Sequence, residues 1–128
     1  MSWTVSQIAV CSIAVLHVLF MLGELVRWES PFIMTLVLQK WPHKLELSAD
    51  ESHFVSMVVH NAGIYNGIVA SGLFVAAALG RDAFPVQVAL LTGGIVAGLF
   101  GAKTLTKATI AQAILGAIAL VIVLWFRT

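Results

Sequence analysis

The sequence predicts an all-α polytopic membrane protein: a bundle of four transmembrane helices with a short interfacial helix in the first loop. Three observations predict it. Of 128 residues, 60% are hydrophobic and only 10% charged, whereas a soluble domain carries about 25% charged residues to face water. Mean hydropathy is +1.00. The apolar residues also gather into long runs, at about 5–26, 53–79, 85–102 and 108–126. About 20 residues rising 1.5 Å each cover the roughly 30 Å hydrocarbon layer. The length allows a single domain.

The first run is read as a retained span rather than a signal peptide. Residues 1–7 hold no Lys or Arg, and the run is too long for a signal h-region and carries Glu24 near its far end. The following segment, residues 28–52, is interrupted by Pro31 and Pro42, which break a long helix. Between them Phe32, Ile33, Leu36, Val37 and Trp41 recur at helical spacing, with Lys40 and Lys44 at the far end, as in a short helix lying in the membrane interface. Trp28 and Trp41 fit an aromatic belt, where an apolar ring with one polar N–H is best solvated.

Ser48 and Glu51 match a capping box, so the second long helix starts near Ala49 and runs to about Leu79, where Gly80 fits a left-handed C-cap. Such a helix exceeds one bilayer thickness, and the end bearing His53 protrudes. Pro85 fits the first turn of the third span. Lys103 to Lys107 forms the last loop before the fourth.

The first and third loops share one side and carry Arg27, Lys40, Lys44, Lys103 and Lys107, against Arg81 and Arg127 on the other. The positive-inside rule then puts the five-residue side in the cytoplasm and both termini outside. A net charge of +1 argues against nucleic acid as a partner. Cys11 is the single cysteine, which excludes an internal disulfide and a zinc finger.

Polar side chains inside such spans are expensive in hydrocarbon and are functional-site candidates. His17 and Glu24 stand seven residues apart on one face of the first span, about 10.5 Å along the axis. That is too far for a direct hydrogen bond but suits two groups gripping opposite ends of a bound molecule. The structural alternative pairs Glu24 with Arg27 at i+3 and lets His17 donate to a backbone carbonyl. In the second span Asn61 and Tyr65 share a face, with Asn66 about 100° further round. Gly63, Gly67 and Ser71 form a small-residue ridge on the opposite side, and His60 falls with the ridge. The third span repeats the pattern with Gly94, Ala97, Gly98 and Gly101, so a homo-oligomer through glycine-rich faces is expected. Gln112 is the remaining deep polar residue.

His17, His53 and His60 lack the i, i+3 or i+4 spacing of zinc ligands, and no metal is expected. Nothing resembles a nucleophile elbow, a phosphate-binding loop or a dinucleotide fingerprint, so no cofactor is expected.

Three blocks carry a resemblance. The run His17-Val-Leu-Phe-Met-Leu-Gly-Glu24 followed by Trp28-Glu29-Ser30-Pro31 is the first, and Asn61-Ala-Gly63-Ile-Tyr65-Asn66-Gly67 followed by Ala70-Ser-Gly72-Leu73 the second. Ala97-Gly98-Leu-Phe-Gly101-Ala with Thr104 and Gln112-Ala113 completes the set. In this order they resemble a family of small four-span bacterial membrane proteins catalogued as domain of unknown function 1304. The chain departs from that pattern at Phe100, where the family often has tyrosine, and at Leu115, where it often has proline. His43, His53 and His60 lie outside the pattern. The resemblance implies a fold, a bacterial inner-membrane location and a residue set, but no activity.

Residue cost and resemblance single out the same groups: His17, Glu24, Asn61, Tyr65, Asn66 and Gln112. One expectation is a site that binds or transports a small polar or lipophilic molecule, with Glu24 carrying charge and His17 a proton. A second is a membrane-embedded enzyme using His17 and Glu24 as acid and base, with Tyr65 as donor. A third is purely structural, the polar groups holding helices in register. Binding or transport ranks first, because no activated nucleophile is visible.

Overall fold

The computed structural model describes residues 3–40 and 47–126, and every regular element among them is helical. They are α1 Val5–Val26, α2 Pro31–Val37, α3 Ala49–Leu79, α4 Phe84–Thr104 and α5 Thr109–Trp125.

Local chemistry sets the helix ends. Thr4 and Gln7 form a reciprocal capping box at α1: the Gln7 amide donates to Thr4 Oγ1 at 3.2 Å and the Thr4 amide to Gln7 Oε1 at 2.9 Å. Ser48 and Glu51 form the expected box at α3, with distances of 3.3 and 2.9 Å. The Ser48 amide and hydroxyl donate to the Glu51 carboxylate and hold it below the usual carboxylate range. At α2 the Ile33 amide donates to Ser30 Oγ at 3.2 Å, and Pro31 occupies the first turn. The expected continuation of this amphipathic piece through Trp41, Pro42 and Lys44 lies outside the described residues, as does Arg127.

Gly80 ends α3 with φ 60° and ψ −125°. The positive φ suits glycine, but this ψ is not that of the expected left-handed cap. The chain instead passes through a 3-10 turn, Gly80–Ala83, into α4, with Pro85 in its first turn. The Gly80 N–H donates to the Ala76 and Ala77 carbonyls, and glutamines from other elements add further bonds at this end. Gln87 Nε2 donates to the Ala76 and Gly80 oxygens, both at 2.8 Å, and Gln7 Nε2 donates to the Ala77 oxygen at 2.9 Å. Buried Gln87 is thus a deep polar residue beside Gln112, and sequence reasoning passed over it. Its position just after the helix-starting proline was the available signal.

α1 packs along α3 and α4 along α5, while α1 also touches α5 and α3 meets α4 more sparsely. Near the α3–α4 turn the interior is filled by Val10, Ile13, Leu73, Leu91, Ala119 and Val123. At the other end Trp28, Leu38, Val55 and Val59 form a smaller cluster that seats α2 on the start of α3. Trp28 is only 3% exposed, and its Nε1 donates to Ser56 Oγ at 3.0 Å. It belongs to this cluster and not to an aromatic belt, because a protein hydroxyl satisfies its N–H. The same end is fastened by Lys40, whose ammonium donates to the Ala102 and Lys103 carbonyls at the C-terminus of α4.

Glycines set the close approaches within the chain. A Cβ on Gly98 would lie 2.8 Å from both Ala113 N and Thr109 O of α5, so the two backbones nearly touch. A Cβ on Gly63 would meet Leu25 Cγ at 2.9 Å, and one on Gly67 would meet Met21 Sδ at 2.7 Å. The ridge therefore faces α1 of the same chain, and exposed Ser71 only bonds back to Gly67 O at 2.9 Å. These glycines already have intrachain partners and carry no argument for an oligomer. Gly67→Leu should lower stability by about 1–3 kcal/mol through overpacking, more than His60→Ala at its half-buried site. Melting in detergent tests this, and a leucine variant that melts like wild type would refute the α1–α3 contact.

Val5–Val26 is long and apolar enough to cross a membrane, and so is the stretch Ala49–Thr104, whose 56 residues fold back at Gly80. Thr109–Trp125 is a shorter apolar helix. Length and composition thus support a membrane protein.

Candidate functional site

Away from the packed end the helices part and leave a cavity of about 540 Å³. Its walls come from α1, α3 and α4, with α2, α5 and the 105–109 segment closing one end. Three polar side chains from two helices are joined across it. His17 Nδ1 lies 2.8 Å from Asn66 Oδ1, and Asn66 Nδ2 donates to Glu24 Oε2 at 2.7 Å.

The chemistry of the groups orders this chain. An ionised carboxylate only accepts, so the Asn66 amide nitrogen turns to Glu24 and its oxygen to His17. His17 Nδ1 then carries the proton and donates. In the neutral ring Nε2 is left as an acceptor. It is buried and has no hydrogen-bond partner among the described residues, and the residue as a whole is only 3% exposed. Nε2 lies 3.6 Å from where a Gly94 Cβ would stand, and Gly94 lines the cavity. Phe20 meets the imidazole edge-on, with centroids 6.1 Å apart and planes at 82°, which helps fix the ring.

The seven-residue spacing of His17 and Glu24 is therefore bridged from α3. A single asparagine links the two groups. Glu24 takes its hydrogen bond from Asn66 and not from Arg27.

Of the residues singled out from the sequence, His17, Glu24, Tyr65, Asn66 and Gln112 line this cavity. Asn61 does not; it is exposed. The face of α3 that meets α1 is set by Gly63 and Gly67, and Asn61 lies about 160° round the helix from Gly63, whereas Asn66 lies about 60° away. Asn66 thus belongs beside the ridge and not opposite it. Tyr65, 60% exposed, reaches the cavity only at its rim. Gln112 lines the cavity and also ties α5 to α4, its Nε2 donating to the Gly94 oxygen at 3.0 Å. His60 is half-buried and His53 exposed, and neither lines the cavity. Among the described residues no three His, Cys, Asp or Glu side chains gather in a metal-binding group.

A family model described as a protein of unknown function (DUF1304) matches residues 11–124. No curated protein and no solved structure matches the chain.

Proposed function

We propose, from the premise that the chain belongs to this family of unknown function, that it is a four-span membrane protein which binds a small molecule in the cavity beneath His17. The single observation that carries the binding reading is the buried His17 Nε2, unpartnered among the described residues, on a side chain that lines a cavity of ligand size. Leaving a buried acceptor unpaired costs about 1–3 kcal/mol, and a ligand donor relieves that cost. Glu24 and Asn66 act as positioning residues: they hold the imidazole in the tautomer that presents Nε2. Because Glu24 and His17 are both titratable, the same arrangement suits proton-coupled transport.

Four spans, α1, α3, α4 and α5, are supported by where the large apolar side chains stand. Small residues, Ala14, Ala77, Gly98 and Gly116 among them, stand at many interior positions beside larger ones such as Leu73 and Leu91. Exposed positions on every long helix hold large apolar side chains such as Leu19, Ile68, Val96 and Val121, each about 60% exposed. Water does not tolerate so continuous an apolar exterior, whereas lipid requires it. The family resemblance suggests a bacterial cytoplasmic membrane, and the Lys and Arg count supports both termini outside it. A C-terminal reporter active only in the cytoplasm is expected to stay silent; strong activity would overturn this topology.

Glu24→Gln tests the site. Glutamine keeps an oxygen for Asn66 Nδ2 but loses the charge, and charge burial is the expensive part in lipid. The variant should therefore melt no earlier than wild type in detergent and keep the thermal shift that wild type shows with phenols or quinol-like lipids, whereas His17→Phe, which removes Nε2, should lose it. An earlier melt with no compound shifting either protein would favour the structural reading.

A further inference from the structure

We propose that the occupant of this cavity is a neutral lipophile ending in one hydroxyl, an alcohol or a phenol, which enters sideways from the bilayer between α3 and α4 and donates its hydroxyl hydrogen bond to His17 Nε2. The inference rests on the ligand-site reading above and adds the chemical class and the path.

The polarity of the relay selects a donor. Nε2 is the free end of a chain that begins at the Glu24 carboxylate, and with Nδ1 donating to Asn66 it offers a lone pair. A ketone, ether or ester oxygen has no proton for it and would leave two acceptors face to face.

Charge narrows the class further. Among the described residues, the ionisable groups on the cavity lining are His17, Glu24 and Tyr65, with no lysine or arginine. The ammonium of Lys40 is held by the carbonyls at the end of α4. A carboxylate or phosphate head would find no cation there. An ammonium head would bring three donors, of which His17 Nε2 can meet one, and would add a charge to a mostly apolar cavity. A hydroxyl matches the single lone pair without burying charge.

The walls and the opening point to a lipophilic body. Phe20, Leu36, Val37, Val69 and Leu90 make most of the lining apolar. Tyr65, Gly93 and Ala97 both line the cavity and are exposed, so it opens in the gap between α3 and α4, and exposed Leu19 and Leu36 also stand on its lining. A Cβ on Gly93 would meet nothing within 4 Å, which leaves that gap clear. In the four-span arrangement such a side opening faces acyl chains, not water.

The test uses the full chain in detergent with nitrogen-15 histidine, and four matched probes: decanol, decyl methyl ether, decanoate and decylamine. The His17 signals are assigned by their loss in His17→Phe. Decanol should raise Tm and shift the Nε2 resonance to lower frequency as its lone pair accepts a hydrogen bond. The ether, the acid and the amine should do neither. Gly93→Leu should weaken decanol binding by about tenfold or more by filling the gap, and unchanged binding would overturn the sideways path. If decanoate or decylamine moves the His17 signal while decanol does not, the class is wrong but the site stands. If none of the four probes moves it, the ligand-site reading falls together with the class.

Discussion

Asn66→Leu is expected to be the most damaging single substitution at the site. Leucine matches asparagine in heavy-atom count and branching, so the change removes the hydrogen bonds while keeping the shape nearly the same. It strands the His17 Nδ1 proton and removes the donor to Glu24 in one step. A buried donor left unpaired costs about 1–3 kcal/mol, and an unpaired, half-buried carboxylate adds to that. The variant should melt well below wild type and should also lose control of the His17 tautomer, because Nδ1 no longer has a fixed acceptor. Nitrogen-15 spectra then show two neutral tautomers where wild type shows one. Retention of a single tautomer together with a wild-type Tm would mean that Asn66 does not orient the ring. Pairing it with Glu24→Gln separates the two halves of the relay, since the glutamine variant keeps an acceptor for Asn66 and leaves the asparagine in place.

Gly98→Ala should cause the largest loss per atom added anywhere in the bundle. The new methyl would stand 2.8 Å from a backbone nitrogen and a backbone oxygen of α5 and 3.1 Å from Ala113 Cβ. Backbone cannot rotate away as a side chain can, so α4 and α5 must separate along their contact. Overpacking of this kind costs about 1–3 kcal/mol, and the rigid partners put this case toward the upper end. Gly93→Ala provides the contrast on the same helix. Its methyl enters open space, and replacing glycine by alanine within a helix gains about 0.5–1 kcal/mol. Thermal melts of the two variants in detergent should move in opposite directions. Equal shifts would mean that α4 does not approach α5 through Gly98.

Much of the architecture follows from local rules that act within a few residues, and these the sequence alone determined. The Ser48 and Glu51 box starts α3 because both partners lie within one turn, and Gly80 stops it because a positive φ favours glycine. Apolar run length and the scarcity of charge point to lipid, since hydropathy is a property of composition. The identity of the polar candidates was likewise legible, because a histidine, a carboxylate and an asparagine in apolar helices are costly wherever the helices pack.

Which of those groups meet was decided by the tertiary structure. Helical periodicity gives angles within one helix, but not the rotation of one helix against another. That rotation is set by where Gly63 and Gly67 let α1 approach. The same contact turns Asn66 between His17 and Glu24 and leaves Asn61 facing outward. The burial of Trp28 against Ser56 and the capping of α3 by Gln7 and Gln87 depend in the same way on partners many residues away. Spacing along one helix placed His17 and Glu24 two turns apart, and only the packing of a second helix supplied the amide that joins them.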